Sequence, residues 1–199
     1  MRIIFVRHGT TQANIDRTFS KPDTPLADDG YKVLDKTKKL LEKYHIKKVY
    51  TSDLLRSKQT ALYLGYDKTI ADPRINEIDV GDFKGHSYDF VLDHYGKDLE
   101  SLKDDKMTAK YPNGESRLDV INRVSDFMDD IKNEDGDILC ISHGIAIRSS
   151  LFWIIKDLDA YDNFWIDNGS LTVFKVEGGK RIIECVNAIW DLYTWLIAT

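Results

Sequence analysis

Arg7-His8-Gly9-Thr10-Thr11-Gln12-Ala13-Asn14 sets a cation, an imidazole and small hydrogen-bonding residues within a few positions of one another, directly after an apolar run. Attack on a phosphorus atom ringed by anionic oxygens needs a neutral nucleophile, or fixed positive charge beside it. An imidazole nitrogen, with a reference pKa of about 6.5, is largely unprotonated near neutral pH and can form a covalent intermediate that splits one transfer into two steps. Arginine presents a planar fork of donors that matches two phosphate oxygens at once. Taken alone, His-Gly after a strand is more often a turn. Ser142-His143-Gly144 follows a second apolar run in the same way. A lone His143 would read as a satisfied core histidine, but a matched pair puts two imidazoles at one sheet edge if the strands are parallel neighbours.

Two further residues fit this chemistry. Arg56, in Ser52-Asp53-Leu54-Leu55-Arg56-Ser57, stands where a strand gives way to a helix. A helix N-terminus there favours an anion through its free N–H groups and dipole. By itself Arg56 reads as a solvated first-turn charge. Glu77, in Asn76-Glu77-Ile78-Asp79-Val80-Gly81, is the acid candidate, because a leaving alkoxide needs a proton.

The elements that must position these residues are legible as pattern. Ile3 to Val6 and Ile138 to Ile141 are short continuous apolar runs of the kind found in strands buried on both faces, and Val49-Tyr50 is a shorter one. Helical periodicity spans Tyr31 to Tyr44, Ser57 to Leu64, Ser116 to Ile131 and Ile145 to Ile155. Strands alternating with helices predict an α/β fold, a three-layer α/β/α sandwich on a mainly parallel sheet. Leu171 to Val176 and Arg181 to Val186, joined at Gly178-Gly179, read as a hairpin that adds an antiparallel component. Ligands of open α/β sheets bind beyond the carboxyl ends of the strands, where both His-Gly pairs fall. Residues 82–114, dense in charge and closed by the turn Pro112-Asn113-Gly114, read as a partly helical excursion over the site.

Composition narrows the classes. The 199 residues, 42% hydrophobic, suit one domain spanning 1–199. A net charge of −5 gives no general basic surface for a nucleic-acid backbone. The apolar run near the N-terminus is shorter than a signal-peptide core, and no stretch reaches membrane-span length, so a cytoplasmic protein without membrane partners is expected. Cys140 and Cys185 lie in apolar, β-prone runs and read as core thiols. His45, His86 and His94 show no metal-ligand grouping, with His86 the nearest of them to the site. Trp153, Trp165, Trp190 and Trp195 read as core or interface, and the apolar tail Trp190 to Ala198 as a packing segment.

The ordered set Arg7-His8-Gly9 with Thr11 and Asn14, Asp23, Pro25-Leu26, Gly30, Ser52 to Ala61, Glu77, Gly81 and Gly85, Pro112 to Ser116 and Ser142-His143-Gly144 resembles the histidine phosphatase superfamily over nearly the whole chain. The resemblance implies a phosphoglycerate mutase-like fold, a phosphohistidine on His8, and Glu77 as proton donor and then base. It places Arg7, Arg56 and His143 around the phosphoryl group, with Asn14, Thr11, Ser20 and Gly144 as further contacts. Ser20 stands where the family usually has glycine. No metal or cofactor is implied, and the expected partner is a small phosphorylated metabolite. The superfamily's mutases carry arginine and tyrosine where this chain has Ile78 and Val80, so the small-phosphatase branch, with its α-ribazole and broad-specificity phosphatases, is the nearer match. A mutase that grips its substrate by other means, or a non-catalytic phosphate-binding protein, are the alternatives. Substrate and oligomeric state are left open.

Overall fold

The computed structural model describes residues 1–189. Among the described residues six strands form one sheet: β1 (Arg2–Arg7), β2 (Ile46–Thr51), β3 (Ile70–Ala71), β4 (Asp137–Ser142), β5 (Leu171–Glu177) and β6 (Lys180–Ala188), in the order β3-β2-β4-β1-β5-β6. The β3, β2, β4 and β1 neighbours pair in parallel, and β5 and β6 add the antiparallel part. Gly178 and Gly179 turn the last hairpin with φ of 55° and 76°, the left-handed pair a two-residue hairpin turn demands.

The helices are numbered along the chain from the short α1 (Gln12–Ile15), with α4 (Tyr88–His94) and α5 (Gly96–Asp104) midway; both faces of the sheet are covered, and the strands divide their side chains by alternation. Ile3 and Phe5 join Ile138 and Cys140 in a core with α6 (Arg117–Ile131) and α7 (Gly144–Ser150). Ile4 and Val6 join Leu139 and Ile141 against α2 (Lys32–Leu41) and α3 (Leu55–Tyr63). The continuous apolar runs are therefore explained by burial on both sides.

Several boundaries differ from the periodicity. The strand at Val49-Tyr50 extends to Ile46–Thr51, because its first residues are paired while still partly exposed and hence less apolar. The first helix begins as a tight turn at Asp28–Tyr31 and ends at Leu41, and Leu55 rather than Ser57 opens α3. Ser116 caps α6 from outside, in a box with Asp119. The helix expected over Ile145 to Ile155 stops at Ser150 and tightens into a turn at Leu151–Trp153. There the Ser150 hydroxyl donates to the Ile147 carbonyl at 2.6 Å and competes with the helical ladder.

Residues 82–114 hold two short helices, Tyr88–His94 and Gly96–Asp104, with a small core of Phe83, Val91 and Leu99. His86 stacks on Phe90 at 4.2 Å between centroids. Trp153 is core, whereas Trp165 is 68% exposed, with its indole N–H donating to Asp167. Cys140 is buried and Cys185 partly buried. Trp190, Trp195 and the run Trp190 to Ala198 lie outside the described residues. Among the described residues no helix is long and apolar enough to cross a membrane.

Candidate active site

Parallel pairing of β1 with β4 matches Arg7 with Ser142, so His8 and His143 leave the sheet side by side, with ring centroids 5.0 Å apart. The two chain ends are tied together where the His8 amide donates to the Ser142 carbonyl at 3.0 Å. His8 Nδ1 lies 2.6 Å from the Gly9 carbonyl. A carbonyl only accepts, so Nδ1 carries the hydrogen and Nε2 is left with a bare lone pair. Arg56, near the start of α3, directs Nε–H at this Nε2 at 3.3 Å and at His143 Nδ1 at 3.2 Å. His143 Nε2 must then carry its hydrogen, with Ser52 Oγ at 2.7 Å and Ser57 Oγ at 3.1 Å as acceptors.

Burial, followed by the charges of Arg56 and Arg7, holds the His8 pKa well below its usual 6.5. His143 is lowered in the same way by burial, then by Arg56 and His8. Both imidazoles are therefore neutral at physiological pH. Burial also lowers the two arginines, yet a guanidinium stays protonated throughout the range in which proteins work.

A cavity of about 670 Å³ opens at this sheet edge, and Arg7, His8, Asn14, Ser20, Arg56 and Glu77 all line it. Arg7 Nη1 donates to the Ile166 carbonyl at 2.6 Å, while its Nε is buried with no hydrogen-bond partner among the described residues. An orphaned buried donor of this kind is costly unless an acceptor arrives. Glu77 reaches the site from the other side. Its Oε1 accepts from the amides of Ile78 at 3.0 Å and Ile145 at 3.1 Å, which leaves Oε2 the less engaged oxygen.

Thr11, His143 and Gly144 do not line the cavity. Thr11 is fully buried and caps the turn Gln12–Ile15, accepting from the Asn14 amide while Asn14 Oδ1 accepts from the Thr11 amide. It thereby fixes Asn14. His143 sits behind Arg56 and His8. Gly144 packs on Arg7, where a Cβ would lie 3.5 Å from the guanidinium carbon. The 82–114 segment contributes Lys84 and Tyr111 to the cavity wall, whereas His86 does not reach it.

Sequence reasoning missed two supports. Asn168, in the loop before β5, donates to the carbonyls of His8 at 3.0 Å and Gly9 at 3.2 Å, and nothing in its neighbourhood signals this. Arg123 donates to the carbonyls of Arg74, Asn76 and Glu77 at 2.7, 2.9 and 3.2 Å while pairing with Glu115. Here a signal existed, since an arginine one turn from both Val120 and Phe127 lies on the apolar stripe of α6.

Comparison with known proteins accords with this geometry. Residues 3–189 match the family model of the histidine phosphatase superfamily, branch 1. Phosphoserine phosphatase 1 of Hydrogenobacter thermophilus is 27% identical over 94% of this chain and 92% of its own length. Fructose-2,6-bisphosphatase of Saccharomyces cerevisiae is 26% identical over 86% of this chain, which spans only 38% of that protein. The fold superposes on the α-ribazole phosphatase of Shigella flexneri with a TM-score of 0.84 at 23% identity, covering 95% of this chain and 97% of that one. The chain is a member of the histidine phosphatase superfamily, branch 1.

Proposed function

We propose that this protein is a phosphatase that hydrolyses a small-molecule phosphomonoester without a metal, through a phosphohistidine on His8. The observation that carries the reading is the neutral His8, its Nε2 lone pair fixed by the Gly9 carbonyl and flanked by the guanidinium groups of Arg7 and Arg56. His8 Nε2 forms the bond to phosphorus as the ester P–O bond breaks, and Glu77, in its acid form, gives its proton to the departing oxygen. Water then attacks phosphorus, Glu77 takes a proton from it, and the P–N bond breaks to release inorganic phosphate. Each step keeps the negative charge of the phosphoryl oxygens against Arg7, Arg56 and the side-chain NH2 of Asn14, so stabilisation is electrostatic and preorganised. The relatives named as phosphatases support the reaction class. Ile78 and Val80 line the cavity at the positions where the superfamily's mutases carry an arginine and a tyrosine, which favours hydrolysis over a mutase reaction.

The test is release of phosphate from 4-nitrophenyl phosphate in the presence of a chelator. His8→Ala should abolish it, and quenched enzyme should carry an acid-labile, alkali-stable phosphoryl group on His8. Undiminished turnover by His8→Ala, or label on a serine, would sink the mechanism.

A further inference from the structure

We propose that the cavity selects esters whose leaving group carries a second anionic group, a carboxylate or a phosphate, and that Lys21 receives it. The inference rests on the phosphatase reading and names its substrate class.

The argument is one of unmatched charge. Among the cations lining the cavity, Arg74 is paired with Asp72 at 2.8 Å and Asp130 at 2.6 Å, Arg123 with Glu115 at 2.9 Å, and Lys84 with Asp79 at 2.5 Å. Arg7 and Arg56 serve the phosphoryl end. Lys21 lines the same cavity, and no carboxylate of the described residues pairs with it. A phosphoryl dianion would balance Arg7 and Arg56, and with Glu77 in the acid form that proton donation requires, Lys21 is left as surplus positive charge in the cavity.

The position of Lys21 is built rather than incidental. Its carbonyl accepts from Arg56 Nη1 at 3.1 Å, and its amide donates to Thr24 Oγ1 at 2.8 Å, so its backbone is tied to the arginine beside His8. Its stem crosses Gly85, whose φ is +80° and where a Cβ would come within 2.3 Å of Lys21 Cε. A side chain at 85 would displace the lysine from this path. The same approach brings it beside Lys84, whose ammonium is already neutralised by Asp79. Ile78, Val80 and Tyr111 line the same cavity and give it apolar surface suited to a hydrocarbon body.

The experiment compares KM within two pairs: glycerol 1-phosphate against 3-phosphoglycerate, and fructose 6-phosphate against fructose 1,6-bisphosphate. The first pair reports a carboxylate and the second a phosphate. In at least one pair the doubly anionic member should have a KM about fivefold lower, the upper end for an ion pair open to water, and the advantage should shrink as salt is raised. Lys21→Met should bring that ratio close to one, and Lys21→Arg should restore most of it. Equal KM values within both pairs, or a preference that survives in Lys21→Met, would overturn the subsite while 4-nitrophenyl phosphate is still hydrolysed. Failure to hydrolyse 4-nitrophenyl phosphate at all would instead overturn the phosphatase reading, and the subsite with it.

Discussion

Replacing Arg123 by methionine should damage stability and proton donation together, and the two losses can be separated. The guanidinium makes a two-point pair with Glu115, both contacts at 2.9 Å, and donates to three carbonyls of the segment ending at Glu77. Removing one member of a buried pair costs about 3–5 kcal/mol. Here the side chains are 18% and 27% exposed, so water screens part of the loss and about 2–3 kcal/mol is expected by urea unfolding. The kinetic effect should depend on the leaving group. Glu115 also accepts from the Asp79 amide at 2.9 Å, so the pair holds backbone on both sides of Glu77. General acid catalysis is worth roughly 10²–10⁴-fold. It matters for an alkoxide and little for 4-nitrophenolate, which leaves unprotonated. Arg123→Met should therefore lose about 100-fold in kcat/KM on an alkyl phosphate and only a few-fold on 4-nitrophenyl phosphate, the bias that Glu77→Gln should also produce. Equal losses on both esters would refute a positioning role. Should Arg123→Met not fold, Arg123→Lys, which keeps the charge but not the fork, should show the same bias in milder form.

Stability should fall as pH drops below about 6.5, because the unfolded chain then takes up protons that His8 and His143 refuse in the native state. One pH unit below that value the loss is about 1.4 kcal/mol per histidine, and His143→Gln should make the slope of stability against pH shallower. The window is distinct from that of carboxylates such as Asp119, held down to about 2, whose titration begins lower. An unchanged slope in His143→Gln would contradict the burial argument. Gly30→Ala should cost about 1–3 kcal/mol or more and depress kcat, since its Cβ would lie 1.9 Å from the Thr10 carbonyl, two residues beyond His8. Thermal unfolding and turnover both equal to wild type would rule out that close approach.

The pairing of His8 with His143 was legible because it depends on strand phase. Two apolar runs of similar length, each ending in His-Gly, bring their imidazoles together once β1 and β4 pair in parallel, as Arg7 opposite Ser142 demonstrates. Arg56 followed from the same geometry, being at the start of a helix that leaves a third strand. Loops were less legible. Asn168 acts through contacts with residues some 160 positions away, and no local periodicity encodes such a partner. The two helices within 82–114 are of 7 and 9 residues, too short for a stripe to stand out among dense charge. Of core or interface, Trp165 is not core, because aromatic character implies burial only on average and a polar indole tip satisfied by Asp167 permits exposure. Thr11, which the resemblance placed among the phosphate contacts, is buried, and its hydroxyl accepts from the Asn14 amide in the cap.

The arrangement of Arg56 also explains how a reactive lone pair can be kept at rest. One Nε–H faces two acceptors, His8 Nε2 at 3.3 Å and His143 Nδ1 at 3.2 Å, and it cannot satisfy both well. These contacts require both rings to be neutral, which burial and the neighbouring cations enforce. The shared hydrogen bond is thus long and divided, and it covers the atom that attacks in the proposed mechanism. A phosphoryl oxygen offers the same guanidinium an anionic acceptor, a stronger partner than a neutral imidazole nitrogen that has to share the hydrogen. Substrate binding should therefore draw Arg56 onto the phosphate and uncover His8 Nε2 in the same movement, so that the nucleophile is exposed only when its target is present. Inorganic phosphate should reproduce this. Its addition should move the Nε2 nitrogen resonance of His8 toward that of an imidazole with an unengaged lone pair, with the ring remaining neutral. A His8 resonance that does not respond, or one that shifts to the imidazolium position, would show that Arg56 does not mask the nucleophile.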